Sequence, residues 1–271
     1  MTEFAVLLAV YAKEKPEYMR QCFDSIYTQT LAPKEVVLVE DGRLTPALYE
    51  LVHRLQAEHG NLRVVSYNVN RGLGYALNEG LRHCTCDLVA RMDTDDISKP
   101  ERFRLQVQYM ERHPEVAVVG SWIDEFINRP SNIKSTRKVP EQNEEIKRFA
   151  RSRNPVNHPS CMLRKSAVET VGGYRTQPYF EDYDLWVRLL LAGYRLHNLQ
   201  QSLLCFRQSE QMFSRRGGLK YSCAEIRFQL HIHRMGFISL GRAVGNVCIR
   251  FGLRLVPNVI RRVIYLKLLR K

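Results

Sequence analysis

Short apolar runs alternate with amphipathic segments over the first 120 residues, and this alternation constrains the fold more than any other feature of the sequence. The apolar runs cover residues 4–10, 35–39, 62–66, 87–91 and 116–119. The segments between them have helical spacing, and prolines suited to the first turn of a helix occur at Pro16, Pro46 and Pro100. Strands separated by helices predict right-handed βαβ crossovers. We therefore expect an α/β fold with a mostly parallel sheet flanked by helices.

The middle of the chain has a less regular pattern. Residues 128–138 are polar and show no clear period, which predicts a loop. The other predicted elements are a helix at 142–152, a short apolar run at 160–163, a turn at Gly172-Gly173, a helix at 183–192 and two short strands near 194–198 and 203–207. With 271 residues, the chain is long enough for one α/β domain with or without an appendage.

Residues 219–271 are strongly basic. They contain eleven Lys or Arg and a single acid, Glu225, in a chain whose net charge is +13. Pro257 separates two predicted helices, and the second repeats apolar residues at helical spacing, namely Val259, Ile260, Val263, Ile264 and Leu268. This basic helical C-terminal extension could lie on an anionic membrane or pack against its own domain. Arginines at 242, 250 and 254 argue against a transmembrane span.

The cysteines and the N-terminal run bear on the cellular compartment. Seven cysteines are scattered without paired CxxC spacing, which argues against a zinc site and a disulfide framework. A reducing, cytosolic environment fits this usage. The apolar run at 4–10 follows Glu3, has no basic region before it and is too short to span a bilayer, so it predicts a buried strand.

Three carboxylates occur where the fourth apolar run ends, in Asp93-Thr94-Asp95-Asp96. Asp93 and Asp95 are two residues apart, so on extended backbone both side chains leave the same face and could bind one divalent cation with its diphosphate. Alternatively, one acid caps the next helix and the others are solvated. Asp41 ends the second apolar run, and ligands of parallel sheets gather at the carboxyl ends of strands. Their shared position favours the ligand-binding alternative.

Three other segments contain candidate site residues. Asp41 precedes Gly42, so it could accept hydrogen bonds from a base or ribose, or simply form a turn. In Asn70-Arg71-Gly72-Leu73-Gly74, the glycines would let the backbone approach a ligand beside the charge of Arg71, or the segment simply joins a strand to a helix. Glu181-Asp182-Tyr183-Asp184 places acids at a predicted helix start, where one could be an N-cap or a general base.

Taken in order, these segments resemble those of glycosyltransferase family 2, the inverting enzymes of the GT-A fold. The resemblance covers residues 4 to about 207 and leaves the basic extension outside. It is carried by Ala9-Val10-Tyr11, Val39-Glu40-Asp41-Gly42, Asn70-Arg71-Gly72-Leu73-Gly74, Ala76-Leu77-Asn78-Glu79-Gly80, Asp93-Thr94-Asp95-Asp96 and Glu181-Asp182-Tyr183-Asp184-Leu185-Trp186. Within the family, the sequence is most like bacterial exopolysaccharide enzymes of the amylovoran and colanic-acid type.

The resemblance implies a set of site residues and partners. It implies a Rossmann-like nucleotide-binding sheet in which Tyr11, Asp41 and Arg71 bind the nucleotide. Asp93 and Asp95 would form the DxD pair that contacts ribose, diphosphate and Mg²⁺ or Mn²⁺. Asp182 would be the catalytic base. The implied donor is a UDP-sugar, and the implied acceptor is a saccharide on polyprenyl diphosphate at the inner face of a bacterial membrane, which the basic extension would contact peripherally.

One departure from the family pattern concerns the metal. Family members often have a histidine after the last strand, in a Tyr-Arg-x-His pattern, whereas this chain has Phe206-Arg207-Gln208-Ser209. Glutamine and serine are weaker metal ligands, so the third protein ligand is left open. His158 lies in a segment where the family binds the acceptor, and it could equally be a hydrogen-bonded structural histidine.

These observations lead to an expected function with two alternatives. We expect a catalytic domain over residues 1–218, with a nucleotide-sugar-binding half at 1–120 and an acceptor-binding half at 121–218, before the extension at 219–271. A sugar-nucleotide pyrophosphorylase would have a glycine-rich loop after the first strand, but residues 11–15 contain no glycine. A nucleic-acid-binding protein would spread its charge over one reading face, whereas here the excess is in the extension. We therefore expect no nucleic-acid partner, and the oligomeric state is left open.

Overall fold

The computed structural model describes residues 2–208 and 218–255. The strands are β1 Phe4–Val10, β2 Glu35–Asp41, β3 Leu62–Tyr67, β4 Leu88–Arg91, β5 Ile97–Ser98, β6 Val116–Phe126, β7 Ile133–Arg137, β8 Met162–Arg164 and β9 Arg195–Arg207. The helices are α1 Pro16–Tyr27, α2 Pro46–Glu58, α3 Leu73–His83, α4 Arg102–Arg112, α5 Asn143–Phe149, α6 Lys165–Thr170, α7 Glu181–Leu191, α8 Gly218–Arg234 and α9 Leu240–Leu255. A 3₁₀ turn spans His158–Ser160.

The described strands form one sheet in the order β3-β2-β1-β4-β8-β6-β9-β5, with β7 paired to β6. The first four strands along the chain are parallel, with β1 between β2 and β4. Their carboxyl ends therefore lie at one edge, as the sequence predicted. Beyond β4 the sheet becomes mixed, because β8 runs antiparallel to both β4 and β6.

Both faces of β1, β2 and β4 are buried, as expected for a sheet covered by helices on each side, whereas the edge strand β3 is partly exposed. Phe4, Val6 and Leu8 of β1 pack with residues of α1, α2 and α4. Ala5 and Leu7 point to the opposite face, where they pack with residues of α3 and α7. The period of two in β1 thus separates the core into two layers.

Two expectations for the middle of the chain were wrong. Residues 128–138 were expected to form a loop, but β7 occupies Ile133–Arg137 and pairs antiparallel with β6. All five of its residues are exposed or half-buried, so this strand has no apolar face for a pattern to reveal. The two short strands expected near 194–198 and 203–207 are one strand, β9. Its polar centre at 200–202 coincides with a register shift against β6, which interrupts the apolar pattern but not the strand.

The helices α8 and α9 pack onto the same core as the sheet. Phe228 of α8 is fully buried and stacks on Phe180 with ring centroids 4.7 Å apart. The same apolar cluster includes Ile232 of α8 and Ala243 of α9. Within residues 2–208 and 218–255, no helix combines the length and apolarity that crossing a membrane requires. The amphipathic helix predicted around 259–268 lies outside the described residues.

Candidate active site

Asp41, the last residue of β2, holds the loop that leads into α3. Its Oδ1 accepts a hydrogen bond from the backbone N–H of Arg71 at 2.7 Å, and its Oδ2 accepts one from Gly72 at 3.0 Å. Gly42 permits this approach, because a Cβ at that position would lie 2.6 Å from the backbone nitrogen of Asn70. Asp41 and Arg71 are therefore adjacent, as predicted, but the contact is through the backbone of Arg71.

The side chain of Arg71 lies on an aromatic surface beside this loop. Its guanidinium lies 4.6 Å from the ring centroid of Tyr75 and donates to the Tyr75 hydroxyl at 2.7 Å. Tyr67 packs edge-on against Tyr75 and donates its hydroxyl hydrogen to Asp41 at 2.9 Å. Exposed cationic and aromatic groups of this kind can bind a phosphate and stack on a nucleobase.

Asp93 follows β4 and is held by an arginine of that strand. The side chain of Arg91 is only 2% exposed, and it donates to both oxygens of Asp93, at 3.1 Å and 2.5 Å. Asp93 itself is 32% exposed, so one side of its carboxylate remains accessible. The charge of Arg91 also acts on Asp182, whose pKa it lowers against the larger opposing effect of burial. Arg91 thus connects the predicted DxD pair to the predicted base.

Asp95 and Asp96 have different environments. Asp96 is fully buried, and its Oδ1 accepts a hydrogen bond from the backbone N–H of Arg207 at 2.9 Å. The Arg207 side chain donates to the backbone oxygen of Asp95 at 2.9 Å. Burial, Asp93 and Glu14 together raise the pKa of Asp95 to about 7. Asp96 therefore joins the acidic loop to the end of β9, while the partly buried carboxylate of Asp95 is available to a ligand.

The loop after β1 also contacts the acidic loop. The carboxylate of Glu14 accepts a hydrogen bond from the Thr94 hydroxyl at 2.6 Å. Burial raises the pKa of Glu14, and the charge of Asp93 adds to that effect. Tyr11 begins this loop, and its carbonyl oxygen accepts a hydrogen bond from the backbone N–H of Glu14 at 3.0 Å. The parallel order of β2, β1 and β4 thus brings Asp41, Tyr11 and Asp93 to one edge.

Asp182 lies in the first turn of α7 and is held through both oxygens. Its Oδ2 accepts a hydrogen bond from Asn154 Nδ2 at 2.5 Å, and its Oδ1 accepts one from the backbone N–H of Tyr183 at 2.8 Å. Burial raises the pKa of Asp182 despite these donors. Burial and the charge of Asp182 raise the pKa of Glu181 to about 7. A carboxylate with a raised pKa is suited to accept a proton from a hydroxyl.

Two other candidate residues have structural contacts. Asp184 is fully buried and accepts hydrogen bonds from Arg188 Nε at 2.7 Å and from His231 Nε2 at 2.8 Å. His158 is buried, and its Nε2 lies 2.9 Å from the Tyr174 hydroxyl. Burial, aided by Arg91, lowers the pKa of His158 well below its usual value. Of the two roles considered for His158, its contacts are those of a neutral, hydrogen-bonded structural histidine.

The acidic residues fit a metal that arrives with its substrate. In the described part of the chain, no three His, Cys, Asp or Glu side chains converge as a ready-made metal site. Mg²⁺ in nucleotide sites is commonly bound by one or two carboxylates together with substrate phosphates. Asp93 and Asp95 supply two such carboxylates. Gln208 is held by its backbone N–H to Phe126 O at 2.7 Å, and Ser209 lies outside the described residues.

Comparison with known proteins identifies the family. The model of the family described as glycosyl transferase family 2 matches residues 6–172, which is more than half of the chain. The chain belongs to glycosyltransferase family 2. It is therefore an enzyme of the transferase class, which favours the expected function over the pyrophosphorylase and the nucleic-acid-binding protein.

Two bacterial relatives cover nearly the whole chain. One is the Escherichia coli protein UDP-Gal:alpha-D-GlcNAc-diphosphoundecaprenol beta-1,3-galactosyltransferase, 36% identical over 99% of this chain and 97% of that protein. The other is the amylovoran biosynthesis glycosyltransferase AmsE of Erwinia amylovora, 40% identical over 97% of this chain and 98% of that protein. The similarity therefore extends through residues 219–271, beyond the region of the family model.

Solved structures show that the fold of this family 2 member is GT-A. Staphylococcus aureus TarS 1–349, solved with UDP-GlcNAc, superposes with a TM-score of 0.65 at 18% identity, over 84% of this chain and 66% of that one. The Pyrobaculum calidifontis mannosyltransferase PcManGT, solved with GDP-Man and Mn²⁺, superposes with a TM-score of 0.62 at 17% identity. The match covers 97% of this chain and 78% of that one. The predicted mostly parallel sheet flanked by helices is confirmed.

Three residues around the site were missed in the sequence. Arg91 follows Leu88-Val89-Ala90, and a charge within an apolar strand that precedes acids was a usable signal for a buried ion pair. Glu14 lies in a loop after a strand, where the carboxyl ends of the sheet collect ligands. Asn154 had no local signal, because its contact with Asp182 joins residues 28 apart in the chain.

Proposed function

We propose that this glycosyltransferase moves a sugar, with inversion, from a UDP-sugar to a hydroxyl of a saccharide carried on polyprenyl diphosphate in bacterial exopolysaccharide synthesis. The names of the galactosyltransferase and AmsE relatives support this donor, acceptor class and pathway. Tyr11, Asp41 and Arg71 bind the nucleotide in this proposal. Asp93 and Asp95 bind the diphosphate with Mg²⁺ or Mn²⁺, and Asp182 is the general base.

The observation that carries the proposal is that the charge of one buried arginine, Arg91, acts on two acids to which we assign different tasks. Arg91 binds both oxygens of Asp93, and its charge acts on Asp182. The charge of Arg91 therefore acts both on the carboxylate assigned to the diphosphate and on the carboxylate assigned to the acceptor hydroxyl. Direct displacement at an anomeric carbon needs two different groups for these tasks, because the base and the leaving group act on opposite faces of the sugar.

The residues divide the reaction between them. Asp182 accepts the proton of the acceptor hydroxyl as its oxygen attacks the anomeric carbon and the bond to UDP breaks. The hydrogen bonds from Asn154 and Tyr183 keep this carboxylate in one orientation. Arg91 and Arg71 supply positive charge near the departing diphosphate. The divalent cation, when bound by Asp93 and Asp95, neutralises the negative charge that develops on UDP.

Replacing Asp182 by Asn tests the catalytic assignment. Asn keeps the size of the side chain but cannot accept the proton, so we expect transfer to fall by about 10³-fold or more while UDP affinity stays within about twofold. Transfer to a short-chain lipid diphosphate acceptor and UDP titration calorimetry measure the two quantities. Near-normal turnover of the variant would remove Asp182 from this role.

We also propose that residues 219–271 make peripheral contact with the anionic inner face of the cell membrane, with the enzyme in the cytoplasm. Apolar side chains of α9 are exposed, including Leu240, Val244 and Ile249, in a segment rich in Lys and Arg. Sedimentation with anionic vesicles would compare the full chain with a chain ending at Leu255 and with a Leu240→Ser, Val244→Ser, Ile249→Ser variant. Equal binding by all three would contradict the proposal.

A further inference from the structure

Asn154, which orients Asp182, lies in a short irregular segment that continues from the end of α5 and whose Asn154 backbone oxygen also accepts a hydrogen bond from Arg137 at 3.2 Å. It is not in a helix or strand, and it lies after α5 and before the 3₁₀ turn. Its Nδ2 donates to Asp182 at 2.5 Å, so a shift of this segment displaces one of the two groups that hold the carboxylate. What fixes residues 150–154 therefore affects the orientation of Asp182.

The helix α9 holds this segment through two polar side chains. Asn246 Nδ2 donates to the backbone oxygen of Arg151 at 2.8 Å. The guanidinium of Arg250 donates to the backbone oxygen of Ser152 and forms an ion pair with Glu225 of α8. Both contacted carbonyls lie within three residues of Asn154. Asn246 and Glu225 are both buried. Their burial protects these contacts from competition by water.

The helix α8 contacts α7, the helix that contains Asp182. His231 lies 2.8 Å from Asp184, which is two residues after Asp182 in the first turn of α7. Phe228 packs on Tyr183, the residue whose backbone N–H donates to Asp182, with ring centroids 4.9 Å apart. The two helices therefore contact the two segments from which Asp182 receives its hydrogen bonds.

We propose that the α8–α9 hairpin is a positioning element of the catalytic site, which acts with α5 and Arg137 to set Asn154, through Asn246 and Arg250, and thereby helps to orient Asp182. The inference rests on the proposed role of Asp182 as the base. In this proposal the hairpin residues do not act on the substrate directly. They act through the backbone of residues 151–152, so their loss lowers turnover and leaves donor binding unchanged.

Asn246→Ala and Gln229→Ala are a matched pair of variants. Asn246 donates to Arg151 and also to Gln229 of α8, so its replacement removes a link to the segment and a bond within the hairpin. Gln229→Ala removes only the bond within the hairpin. We expect similar falls in Tm for both variants. Asn246→Ala should lower kcat for transfer by about tenfold, since small displacements of catalytic groups have effects of this size, while Gln229→Ala stays within about twofold.

The pH profile of kcat separates positioning from stability. The charged and titratable groups that interact with Asp182 are Arg91 of β4, Arg137 of β7, Glu181 and Tyr183 of α7, Tyr174 and Cys161. Burial raises its pKa, and the Asn154 hydrogen bond opposes that rise. Asn154→Ala should therefore move the acid limb of the profile to higher pH, and Asn246→Ala should move it in the same direction. Gln229→Ala should leave it in place.

Failure of this inference is distinguishable from failure of the proposed function. If Asp182→Asn abolishes transfer but Asn246→Ala and Gln229→Ala have equal kcat values and unshifted acid limbs, the hairpin does not position the base. If Asp182→Asn keeps near-normal turnover, the proposed base is wrong and the inference with it. Should Asn246→Ala not fold, the Glu225→Gln, Arg250→Met double variant removes the second link and both partners of its ion pair, and it must show the same shift.

Discussion

Arg91 donates two hydrogen bonds to Asp93 from a side chain that is almost completely buried. Its partner is partly exposed, so the arginine holds the acid at the surface while its own charge stays within the protein. The Nε of Arg91 has no hydrogen-bond partner among the described residues, which indicates that the bond pair with Asp93 fixes its orientation. The same charge acts on Asp182, and one buried cation thus contributes to both halves of the site.

Arg91→Met should therefore impair both the proposed metal-binding acid Asp93 and the proposed base Asp182. Asp93 would lose its two donors, and Asp182 would lose a charge that lowers its pKa. We expect kcat/KM for transfer to fall by about 100-fold and the acid limb of kcat to move to higher pH. Arg91→Lys keeps the charge without the paired donors. Its acid limb should therefore stay near that of the parent chain, while its kcat/KM still falls. Steady-state kinetics from pH 5 to 9 test this, and an unchanged kcat/KM for Arg91→Met would contradict it.

Asp41→Asn should mainly weaken donor binding. The carboxylate accepts from two backbone N–H groups and one hydroxyl, and an Asn side chain would turn its own N–H toward one of these donors. The loop before α3 would then lose its fixed position beside Arg71. We expect the donor KM to rise by about tenfold or more, with a smaller change in kcat.

Tyr67→Phe is the control for Asp41. It removes one of the three hydrogen bonds and leaves both backbone contacts, so the donor KM should rise by less than about threefold. Equal effects of the two substitutions would show that the loop does not depend on the backbone hydrogen bonds of Asp41.

Most of the parallel half of the fold could be predicted because β1, β2 and β4 are buried on both faces and are therefore largely apolar runs. The acids Asp41 and Asp93 could be placed together for the same reason, since strand direction fixes the edge at which they lie. The strand β7 could not be predicted, because it is a polar edge strand whose stability comes from pairing with β6.

Contacts between distant parts of the chain explain most of what the sequence did not reveal. Asn154 and Asp182, or Asn246 and Arg151, are joined only by the folded structure. Their residue types are common in loops and helices, and no local pattern distinguishes them. Arg91 was different, because a buried charge in an apolar strand requires a partner and the following acids were candidates.

The raised pKa of Glu181 predicts a pH-dependent stability. Its pKa is about 7, compared with an ordinary value of 4.5, because of burial and the nearby charge of Asp182. Between these pH values the native chain binds a proton that the unfolded chain has released, so the free energy of unfolding falls as pH rises from about 4.5 to 7. Replacing Glu181 by Gln removes this titration.

Glu181→Gln should therefore be more stable than the parent chain at pH 8, and this difference should nearly disappear at pH 4, where Glu181 is neutral in both the folded and the unfolded chain. We expect a difference at pH 8 on the order of 1 kcal/mol, or about 2–4 °C in Tm, because the side chain is partly exposed and solvent reduces the effect. Thermal unfolding at the two pH values, without nucleotide, measures it. A constant difference between the two proteins would show that Glu181 does not titrate in this range.

The packing of α8 determines where the chain can be shortened. Phe228 is fully buried between Phe180 and Tyr183, with centroids 4.7 Å and 4.9 Å away. Phe228→Ala should lower the free energy of unfolding by about 3–5 kcal/mol, since it leaves a cavity among large side chains. Leu240→Ala, at an exposed position of α9, should change it by less than about 0.5 kcal/mol. Urea unfolding curves provide both values.

A chain ending at Gly218 should be destabilised more strongly than the Phe228→Ala variant. It lacks every contact of α8 and α9, so the apolar faces of Phe180 and Tyr183 become exposed, and we expect loss of cooperative unfolding together with aggregation. A chain ending at Leu255 keeps these contacts and should unfold cooperatively. Tests of membrane binding therefore need the chain that ends at Leu255. A loss of vesicle binding by the chain that ends at Gly218 would report unfolding. Cooperative unfolding of the chain ending at Gly218, with Tm unchanged, would show that the sheet does not depend on the hairpin.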